Sequence, residues 1–412
     1  MCGIVGFIGT EGDKALLHNM TERIRHRGPD DDGFFVDEKR GVFLGMRRLS
    51  IIDVSGGKQP ISNEDGTISV IYNGEIYNYK ELRLELEKTG HTFKTHSDTE
   101  SIVHGYEEWG TDVFSHLNGM FAIALWDGRK NRLVLGRDRV GEKPLLYALW
   151  NGTFYFGSEL KAFFEIPGFP KGIDKASFLK FVDQGYVWGT ETILQNVKRL
   201  GTGECLEYEN GKMKVEKYWE IPPMVASEQV SGWTGEQGVI QSLDNLLSDS
   251  VKIRLMSEVP LGVFLSGGLD SSLITYYAQK HSSQNVKTFS IKFGDESFDE
   301  SKYARKVAEF LGTEHTELEV GEQELLSIID DLPNIMDEPL ADSSIIPTYW
   351  LSKLTQKHVT VALGGDAGDE LFWGYQTFHA WKYWNIVRRI PGFIRSLGST
   401  FVSHLPGFPP AL

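Results

Sequence analysis

The spacing of apolar residues divides the chain into two halves with different rhythms. In the first half, short alternating stretches at 2–9, 68–72 and 120–126 predict strands, and helical spacing occurs only between some of them. In the second half, strand patterns at 286–293 and 358–363 are separated by stretches with helical spacing. The first rhythm predicts a layered α+β domain, and the second predicts an α/β domain with a parallel sheet.

A polar stretch that contains Pro222 and Pro223 separates the two halves. Prolines and consecutive polar residues are typical of a connection rather than of a packed element. We therefore predict a first domain at residues 2–211, a linker at 212–235 and a second domain at 236–412.

A glycine turn between a predicted strand and a predicted helix is the clearest chemical signal. The apolar run Leu261–Leu265 leads into the sequence Ser-Gly-Gly-Leu-Asp-Ser-Ser at 266–272. Free backbone N–H groups and the positive end of a helix dipole meet at such a turn, which favours a phosphate group. Asp270 adds a carboxylate that suits Mg²⁺. The alternative is an ordinary turn with a C-cap glycine, but the ordered glycines, aspartate and hydroxyls favour the phosphate loop.

The second residue, Cys2, becomes the first residue if Met1 is removed. Its thiol then lies beside its own α-amine, whose pKa of about 7.7–8.0 suits a general base near neutral pH. A nucleophile and a base from one residue are a known catalytic arrangement. The alternative is a small residue that merely follows the initiator methionine.

Three further features of the first half suggest a site around Cys2. The Asn73 amide and the Gly74 N–H follow a predicted strand and would suit an oxyanion hole, although Asn-Gly is also a hairpin turn. Arg48 would hold a carboxylate through two parallel bonds, or form a surface ion pair. Asp98 would accept from an ammonium group, or cap a helix.

Together, these residues resemble the class II glutamine amidotransferase domain. The matching stretches are Met1–Ile4, Arg25–Asp30, Arg48–Ile51, Asn73–Asn78, Ser97–Glu100 and Gly136–Asp138. The resemblance implies a four-layer αββα fold of the N-terminal nucleophile type. In that family, residues at these positions attack the glutamine amide (Cys2), form the oxyanion hole (Asn73, Gly74), hold the α-carboxylate (Arg48) and hold the α-amine (Glu75, Asp98). Met46 departs from the histidine expected there, but no role is assigned to it.

The second half resembles asparagine synthetase, with an ATP-pyrophosphatase loop in an α/β parallel-sheet domain. The matching stretches are Val259–Ser272, Asp337–Ser344 and Ala362–Phe372. The resemblance implies ATP-binding residues at Leu265, Ser266, Gly267, Gly268, Asp270, Ser271, Ser272, Ile291, Gly364 and Gly365. It also implies acidic synthetase residues at Asp366, Asp369 and Glu370, with Asp270 and Asp369 as Mg²⁺ ligands. Gly364 replaces the usual serine, which removes one nucleotide contact, and Ala367 replaces the usual glycine.

The two resemblances together imply a ligase for asparagine biosynthesis. Glutamine would supply ammonia, and ATP would activate aspartate as β-aspartyl-AMP, giving asparagine, glutamate, AMP and diphosphate. Another carboxylate acceptor stays open. The family generally continues beyond this sequence, so a glutaminase or a non-ligating partner subunit is the alternative, and apolar surface at 381–405 is expected to be exposed.

Composition changes this interpretation little. The net charge of −15 and the absence of a basic stripe argue against a nucleic-acid partner. Two cysteines among 412 residues exclude a disulfide framework and fit a reducing compartment. With no signal peptide or membrane span evident in the sequence, we expect a cytoplasmic protein without a membrane partner. The family resemblance also allows a homodimer.

Overall fold

The structure is a computed structural model that describes residues 1–223, 235–293 and 300–375, together with 377–378, 381, 383–384 and 388–390. Twelve strands are described in the first half: β1 (Gly3–Ile8), β2 (Asp31–Asp37), β3 (Val42–Arg48), β4 (Ile61–Ser62), β5 (Ile68–Ile76), β6 (Gly119–Asp127), β7 (Arg132–Arg137), β8 (Leu146–Trp150), β9 (Thr153–Gly157), β10 (Lys198–Arg199), β11 (Glu204–Glu209) and β12 (Lys212–Lys217).

These strands form two antiparallel sheets. The first sheet has the order β10-β8-β9-β1-β3-β2, and the second has the order β12-β11-β7-β6-β5-β4. The helices that accompany them are α1 (Lys14–Arg23), α2 (Tyr79–Thr89), α3 (Asp98–Trp109), α4 (Val113–His116), α5 (Leu160–Phe163) and α6 (Lys175–Gln184). Two of these helices begin at side-chain caps, because Asp13 accepts from the Leu16 N–H and Ser97 accepts from the Thr99 N–H.

The apolar alternation of the strands builds a core of three layers between four layers of structure. One cluster, with Ile4 and Ile71, fills the space between the two sheets. A second cluster packs α2 and α3 on the second sheet, and a third packs α1 and α5 on the first sheet. The predicted four-layer αββα arrangement is therefore confirmed.

The second half contains a parallel sheet, as its strand and helix rhythm predicts. Its described elements are α7 (Gly235–Arg254), β13 (Leu261–Phe264), α8 (Leu269–His281), β14 (Lys287–Phe293), α9 (Ser301–Leu311), β15 (Glu314–Val320), α10 (Glu322–Ser327), α11 (Leu332–Ile335), α12 (Ile345–Thr355), β16 (Val361–Leu363) and α13 (Gly368–Phe372). The strand order is β15-β14-β13-β16, and every pair is parallel. Both predicted glycine turns leave the carboxyl ends of neighbouring strands, where ligands of such sheets bind.

The linker prediction is wrong at its beginning. Residues 212–217 form β12, which pairs along its whole length with β11 at the edge of the second sheet. Its apolar alternation is limited to Met213 and Val215, and all six side chains are exposed, so no buried face distinguishes this strand from a polar connection. Tyr218 extends the first domain further, since its hydroxyl donates to the Arg137 carbonyl oxygen at 2.7 Å. Residues 224–234 of the predicted linker lie outside the described residues.

Acidic side chains of the second half contact the first domain. Asp337 accepts from the Leu160 and Lys161 N–H groups at the start of α5. Glu338 pairs with Arg199 and accepts from the Ile193 N–H. We call Asp337 and Glu338 the docking pair.

A second junction lies beside β3 of the first domain. The Glu258 N–H donates to the Ile51 carbonyl oxygen at 3.1 Å, and the Glu258 carboxylate accepts from the Val54 N–H at 3.1 Å. Glu258 lies three residues before β13, so the segment that leads into the glycine turn is attached to the first domain.

Only some residues of the region 381–405, where exposed apolar surface is expected, are described by the structure. Trp381, Tyr383 and Trp384 are exposed, and the remaining positions apart from 388–390 lie outside the described residues. Among the described helices, none combines the length and apolar character needed to cross a bilayer.

Candidate functional site

One pocket of the first domain brings together all six residues predicted around glutamine. Its cavity volume is about 50 Å³. The predicted residues in its wall are Cys2, Arg48, Asn73, Gly74, Glu75 and Asp98. They come from the residue directly before β1, from β3 and β5, and from the start of α3, so the pocket forms only when both sheets and one helix pack together.

The edge of β5 supplies donors to this pocket. The Tyr77 N–H donates to the Asn118 carbonyl oxygen, directly before β6. Successive backbone N–H groups of a strand point to opposite sides, so those of Tyr72, Gly74 and Ile76 point away from β6. Gln59 Oε1 accepts from Tyr72 N–H at 2.6 Å, and Asp98 Oδ2 accepts from Ile76 N–H at 3.0 Å. The Gly74 N–H lies between them and is directed toward open space.

The Asn73 amide is a second donor beside it. Asn73 is 1% exposed, and its Nδ2 has no hydrogen-bond partner among the described residues. A buried amide donor without a partner costs free energy unless a ligand satisfies it. A hairpin turn is the wrong interpretation of Asn73-Gly74, because both residues lie within a strand of nine residues.

The Cys2 thiol is held at the side of this pocket. Its Sγ accepts from the Leu49 N–H at 3.4 Å and lies 3.6 Å from the Leu49 carbonyl oxygen. Burial raises the pKa of the Cys2 thiol, and the Leu49 N–H opposes that rise. Burial also lowers the pKa of the Met1 α-amine to about 6. Arg27 fixes the Cys2 backbone, because its Nε donates to the Cys2 carbonyl oxygen at 2.9 Å.

Two carboxyl groups face the same space. Burial raises the pKa of Glu75 well above its usual range, and the neighbouring Asp98 charge raises it further. Burial also raises the pKa of Asp98, although the Tyr72 hydroxyl donates to it at 2.6 Å. Asp98 is therefore not the helix cap, a role that belongs to Ser97. A cationic ligand would relieve the repulsion between these two carboxylates.

Arg48 is buried rather than part of a surface ion pair. Its guanidinium donates to the carbonyl oxygens of Ile52, Asp53 and Val54 at 2.7–3.2 Å. These bonds fold the segment that follows β3 around the cation, and they fix the orientation of the cation at the pocket wall. Each terminal nitrogen of a guanidinium carries two N–H groups, so donors remain for a carboxylate.

Three side chains of the pocket were not predicted from the sequence. The Gln59 side chain accepts from the edge of β5, and the Tyr72 hydroxyl donates to Asp98. Lys143 is buried in the wall, and burial lowers the pKa of its amine. The sequence signal for Tyr72 is its place directly before Asn73 on an alternating strand. Gln59 and Lys143 lie in irregular segments, where no periodicity marks them.

The two glycine turns of the second half also come together. The helix α8 begins at Gly268 without a side-chain cap, so first-turn N–H groups are left for another acceptor. A Cβ on Gly365 would lie 2.9 Å from the Ser271 nitrogen, and a Cβ on Gly368 would lie 2.5 Å from the Asp270 carboxylate. Glycine is therefore required for the two turns to approach each other this closely.

The remaining predicted residues surround these turns. Ser266 and Ser271 are linked through their hydroxyl oxygens at 3.0 Å, and Ser272 donates to the Gly268 carbonyl oxygen at 2.6 Å. The Gly267 backbone has a φ of +83°, which favours glycine. Leu265 is buried against α9, whereas Ile291 lies half-buried near the end of β14.

The acidic residues occupy the second turn and the start of α13. Asp366 is exposed next to Gly364, while Asp369 and Glu370 lie in the first turn of α13. The Glu370 carboxylate accepts from the Tyr375 hydroxyl at 2.8 Å. Ala367 has a φ of +69°, so the methyl group that replaces the usual glycine lies in strained backbone.

Comparison with known proteins follows the same division of the chain. Residues 1–219 match the family model of the glutamine amidotransferase domain, and residues 242–406 match the asparagine synthase model. The glutamine-hydrolysing asparagine synthetase 1 of Bacillus subtilis is 37% identical over 407 residues, which cover 96% of this chain. A Methanocaldococcus jannaschii protein of the same family name is 36% identical over 424 residues, which cover 97% of this chain and 80% of its own length.

This chain belongs to the family of glutamine-hydrolysing asparagine synthetases. The glutamine-hydrolysing asparagine synthetase 3 of Bacillus subtilis is also similar, with 33% identity over 406 residues. The chain spans 62% of the length of the first Bacillus relative and 64% of the length of this one. The family assignment explains why a cysteine pocket and a pair of glycine turns occur in one chain.

Proposed function

We propose that the first domain of this synthetase hydrolyses glutamine at Cys2. The observation that carries the proposal is the unsatisfied Asn73 amide beside the outward Gly74 N–H, in the pocket that also holds the Cys2 thiol. Such a pair of donors suits the oxygen of a tetrahedral intermediate, where one donor is typically worth about 10²–10³ in rate.

Hydrolysis would proceed through a thioester on Cys2. After Met1 is removed, the Cys2 α-amine takes the thiol proton and Sγ attacks the side-chain amide carbon of glutamine. Asn73 and Gly74 donate to the oxygen of the tetrahedral intermediate. The Cys2 α-ammonium then gives its proton to the leaving nitrogen, the C–N bond breaks, and ammonia leaves a thioester on Cys2. Water then cleaves the thioester to glutamate and regenerates the thiol.

Glutamine itself would be held by opposite charges. Arg48 would bind its α-carboxylate, and Glu75 and Asp98 would bind its α-ammonium. The raised pKa values of the two carboxyl groups support this assignment, because a bound cation would stabilise their ionised forms.

In the second domain we propose an ATP site at the paired glycine turns. The uncapped start of α8 would bind phosphate oxygens, and the turn at Gly365 would border the nucleotide. The β-carboxylate of aspartate attacks the α-phosphorus of ATP, which gives β-aspartyl-AMP and diphosphate. Ammonia from the first domain then displaces AMP and yields asparagine.

The residues at the paired turns fit Mg²⁺. Oxygen ligands suit this ion, and the Asp270 carboxylate lies in a space that a Cβ on Gly368 would fill. Asp270 and Asp369 would hold the ion, which when bound neutralises phosphate charge.

Both cysteines are free, so the proposed cytoplasmic location suits a thiol nucleophile.

Product analysis tests the whole proposal. The chain is incubated with glutamine, aspartate and Mg-ATP, and glutamate, AMP and asparagine are measured separately. We expect all three products, with aspartate required for AMP formation. Glutamate alone would restrict the activity to a glutaminase, and AMP formation with another carboxylate but not with aspartate would change the acceptor.

A further inference from the structure

A cluster of two histidines and two glutamates lies outside both sites. It consists of Glu64 in the turn after β4, His91 after α2, and His104 and Glu107 on α3. One ligand atom from each of the four residues lies within 4.8 Å of the others. Because α3 rises by about 1.5 Å per residue, His104 lies roughly 9 Å along the helix from Asp98. The cluster is therefore separate from the glutamine pocket.

Four nitrogen–oxygen distances within this cluster are close to those between ligands of a small cation. His104 Nδ1 lies 3.5 Å from Glu64 Oε2 and 3.5 Å from Glu107 Oε2. His91 Nδ1 lies 3.7 Å from Glu64 Oε1 and 3.8 Å from Glu107 Oε2. These distances are too long for hydrogen bonds. With zinc-ligand bonds of about 2.0–2.2 Å, the edges of a tetrahedron measure roughly 3.3–3.6 Å.

Unsatisfied polar atoms point to a missing ligand. His104 is 1% exposed, and neither of its ring nitrogens has a hydrogen-bond partner among the described residues. Glu107 Oε2 is also buried and unpartnered, whereas its other oxygen accepts from Asn63 at 2.8 Å and from Arg129 at 3.0 Å. Asn63 and Arg129 thus orient the Glu107 carboxylate, leaving Oε2 free to face the cluster.

The outer ring nitrogens face further carboxylates. His104 Nε2 lies 3.5 Å from Glu100 Oε1, and His91 Nε2 lies 3.5 Å from Glu108 Oε2. In zinc sites, a carboxylate on the far side of the imidazole commonly fixes the tautomer and the ring orientation. Glu100 and Glu108 lie on that side of the two rings, slightly beyond hydrogen-bond distance. Glu100 is itself fixed, since it accepts from the Lys94 and Thr95 N–H groups at 2.7 Å.

We propose that Glu64, His91, His104 and Glu107 form a structural Zn²⁺ site. Two imidazole nitrogens and two carboxylate oxygens are a donor set that zinc accepts in tetrahedral geometry. The site would tie the turn after β4 and the segment after α2 to the second half of α3. It has a path for entry from solvent, because Glu64 is exposed. This inference does not rest on the proposed function.

Metal content is the first test, on the full chain without a polyhistidine tag. The protein is stripped with a chelator, incubated with Zn²⁺ and dialysed, and its zinc is measured by mass spectrometry. We expect about one zinc per chain and a higher melting temperature than in the stripped protein. His91→Gln should lower the zinc affinity at least about tenfold and remove the zinc-dependent rise in melting temperature.

His18→Gln is the matched control, since His18 is an exposed histidine of the same domain. It should retain the zinc content and the melting temperature of the original chain. The proposal is overturned if the original chain binds well under one zinc, or if His91→Gln binds zinc as the control does. X-ray absorption on the zinc-loaded chain needs no variant. Four nitrogen or oxygen neighbours at about 2.0–2.2 Å with two imidazoles are expected, and a shell without imidazole would also overturn it.

Discussion

Glu75 and Asp98 place two carboxyl groups in one buried wall of the Cys2 pocket, where both pKa values are raised. If these carboxyl groups bind the glutamine ammonium as proposed, their raised pKa values mean that a proton would compete with the ammonium at a higher pH than usual. As pH falls through the raised pKa of Glu75, the carboxyl group would become protonated, and glutamine would have to displace that proton. We therefore expect glutamine to bind more weakly at lower pH.

For Glu75 we expect the KM for glutamine to rise as pH falls, by up to about tenfold per pH unit where one proton is displaced. The kcat should change less. Glu75→Gln should raise the KM and flatten its pH dependence, because the competing proton is gone. Steady-state glutaminase kinetics across pH measure this, with the exposed Glu81→Gln as control. A slope that survives in Glu75→Gln would remove this carboxyl group from the binding site.

For Arg48 we expect substitution by lysine to raise the KM for glutamine with a smaller effect on kcat. The guanidinium makes three bonds to backbone carbonyl oxygens and has donors left for a carboxylate, which a single ammonium cannot reproduce. The contact persists from ground state to transition state, so binding should suffer more than turnover. Glutaminase kinetics test this, and an unchanged KM would mean that Arg48 does not bind substrate.

At the scale of elements, the turn before α13 holds a non-glycine residue in left-handed backbone. Ala367 adopts a left-handed conformation with a φ of +69° and a ψ of 0°. We expect Ala367→Gly to stabilise the second domain by roughly 0.5–1 kcal/mol, since glycine removes the steric cost but increases the freedom of the unfolded chain. The denaturation midpoint measures this effect.

Ala362→Gly is the control for that substitution, because Ala362 lies within β16. Glycine within a strand should destabilise. If both variants lower the midpoint equally, the left-handed backbone at position 367 imposes no strain on the native chain.

Most helices and strands that a periodic spacing of apolar residues marks were predicted from the sequence. The strands around Asn73 and the parallel sheet behind the glycine turn were both expected. The strand β12 was not, because all of its side chains are exposed and no buried apolar face marks it. The cluster around His104 was missed as well. Its four residues come from three segments, and only the spacing of His104 and Glu107 on one helix was a local signal.

Across the whole molecule, the docking pair joins the two halves. Asp337 and Glu338 belong to a stretch that resembles the synthetase family, yet both carboxylates contact the first domain. The sequence placed them among the family motifs but gave no sign of the partner, since their contacts are with backbone N–H groups and with Arg199. Such long-range contacts depend on packing that no local pattern encodes.

Removing both charges of the docking pair should loosen the junction. For Asp337→Asn combined with Glu338→Gln, we expect a loss of about 2–4 kcal/mol of interdomain stability. Charge-assisted bonds are lost, and the half-buried Arg199 keeps only backbone carbonyl partners. Calorimetry should show the transitions of the two domains moving apart. Asp330→Asn changes an exposed carboxylate and serves as control. Identical unfolding profiles for the double variant and the control would contradict the docking role.

Separation of the two chemistries is the central claim, and Cys2→Ala tests it most directly. The variant is assayed with aspartate and Mg-ATP, once with glutamine and once with ammonium, and asparagine is measured. We expect no product from glutamine, because the thiol is lost. With ammonium we expect the same rate as the original chain, because the paired glycine turns are intact. Asparagine formation from glutamine, or an equal loss of product with ammonium, would contradict two separate sites.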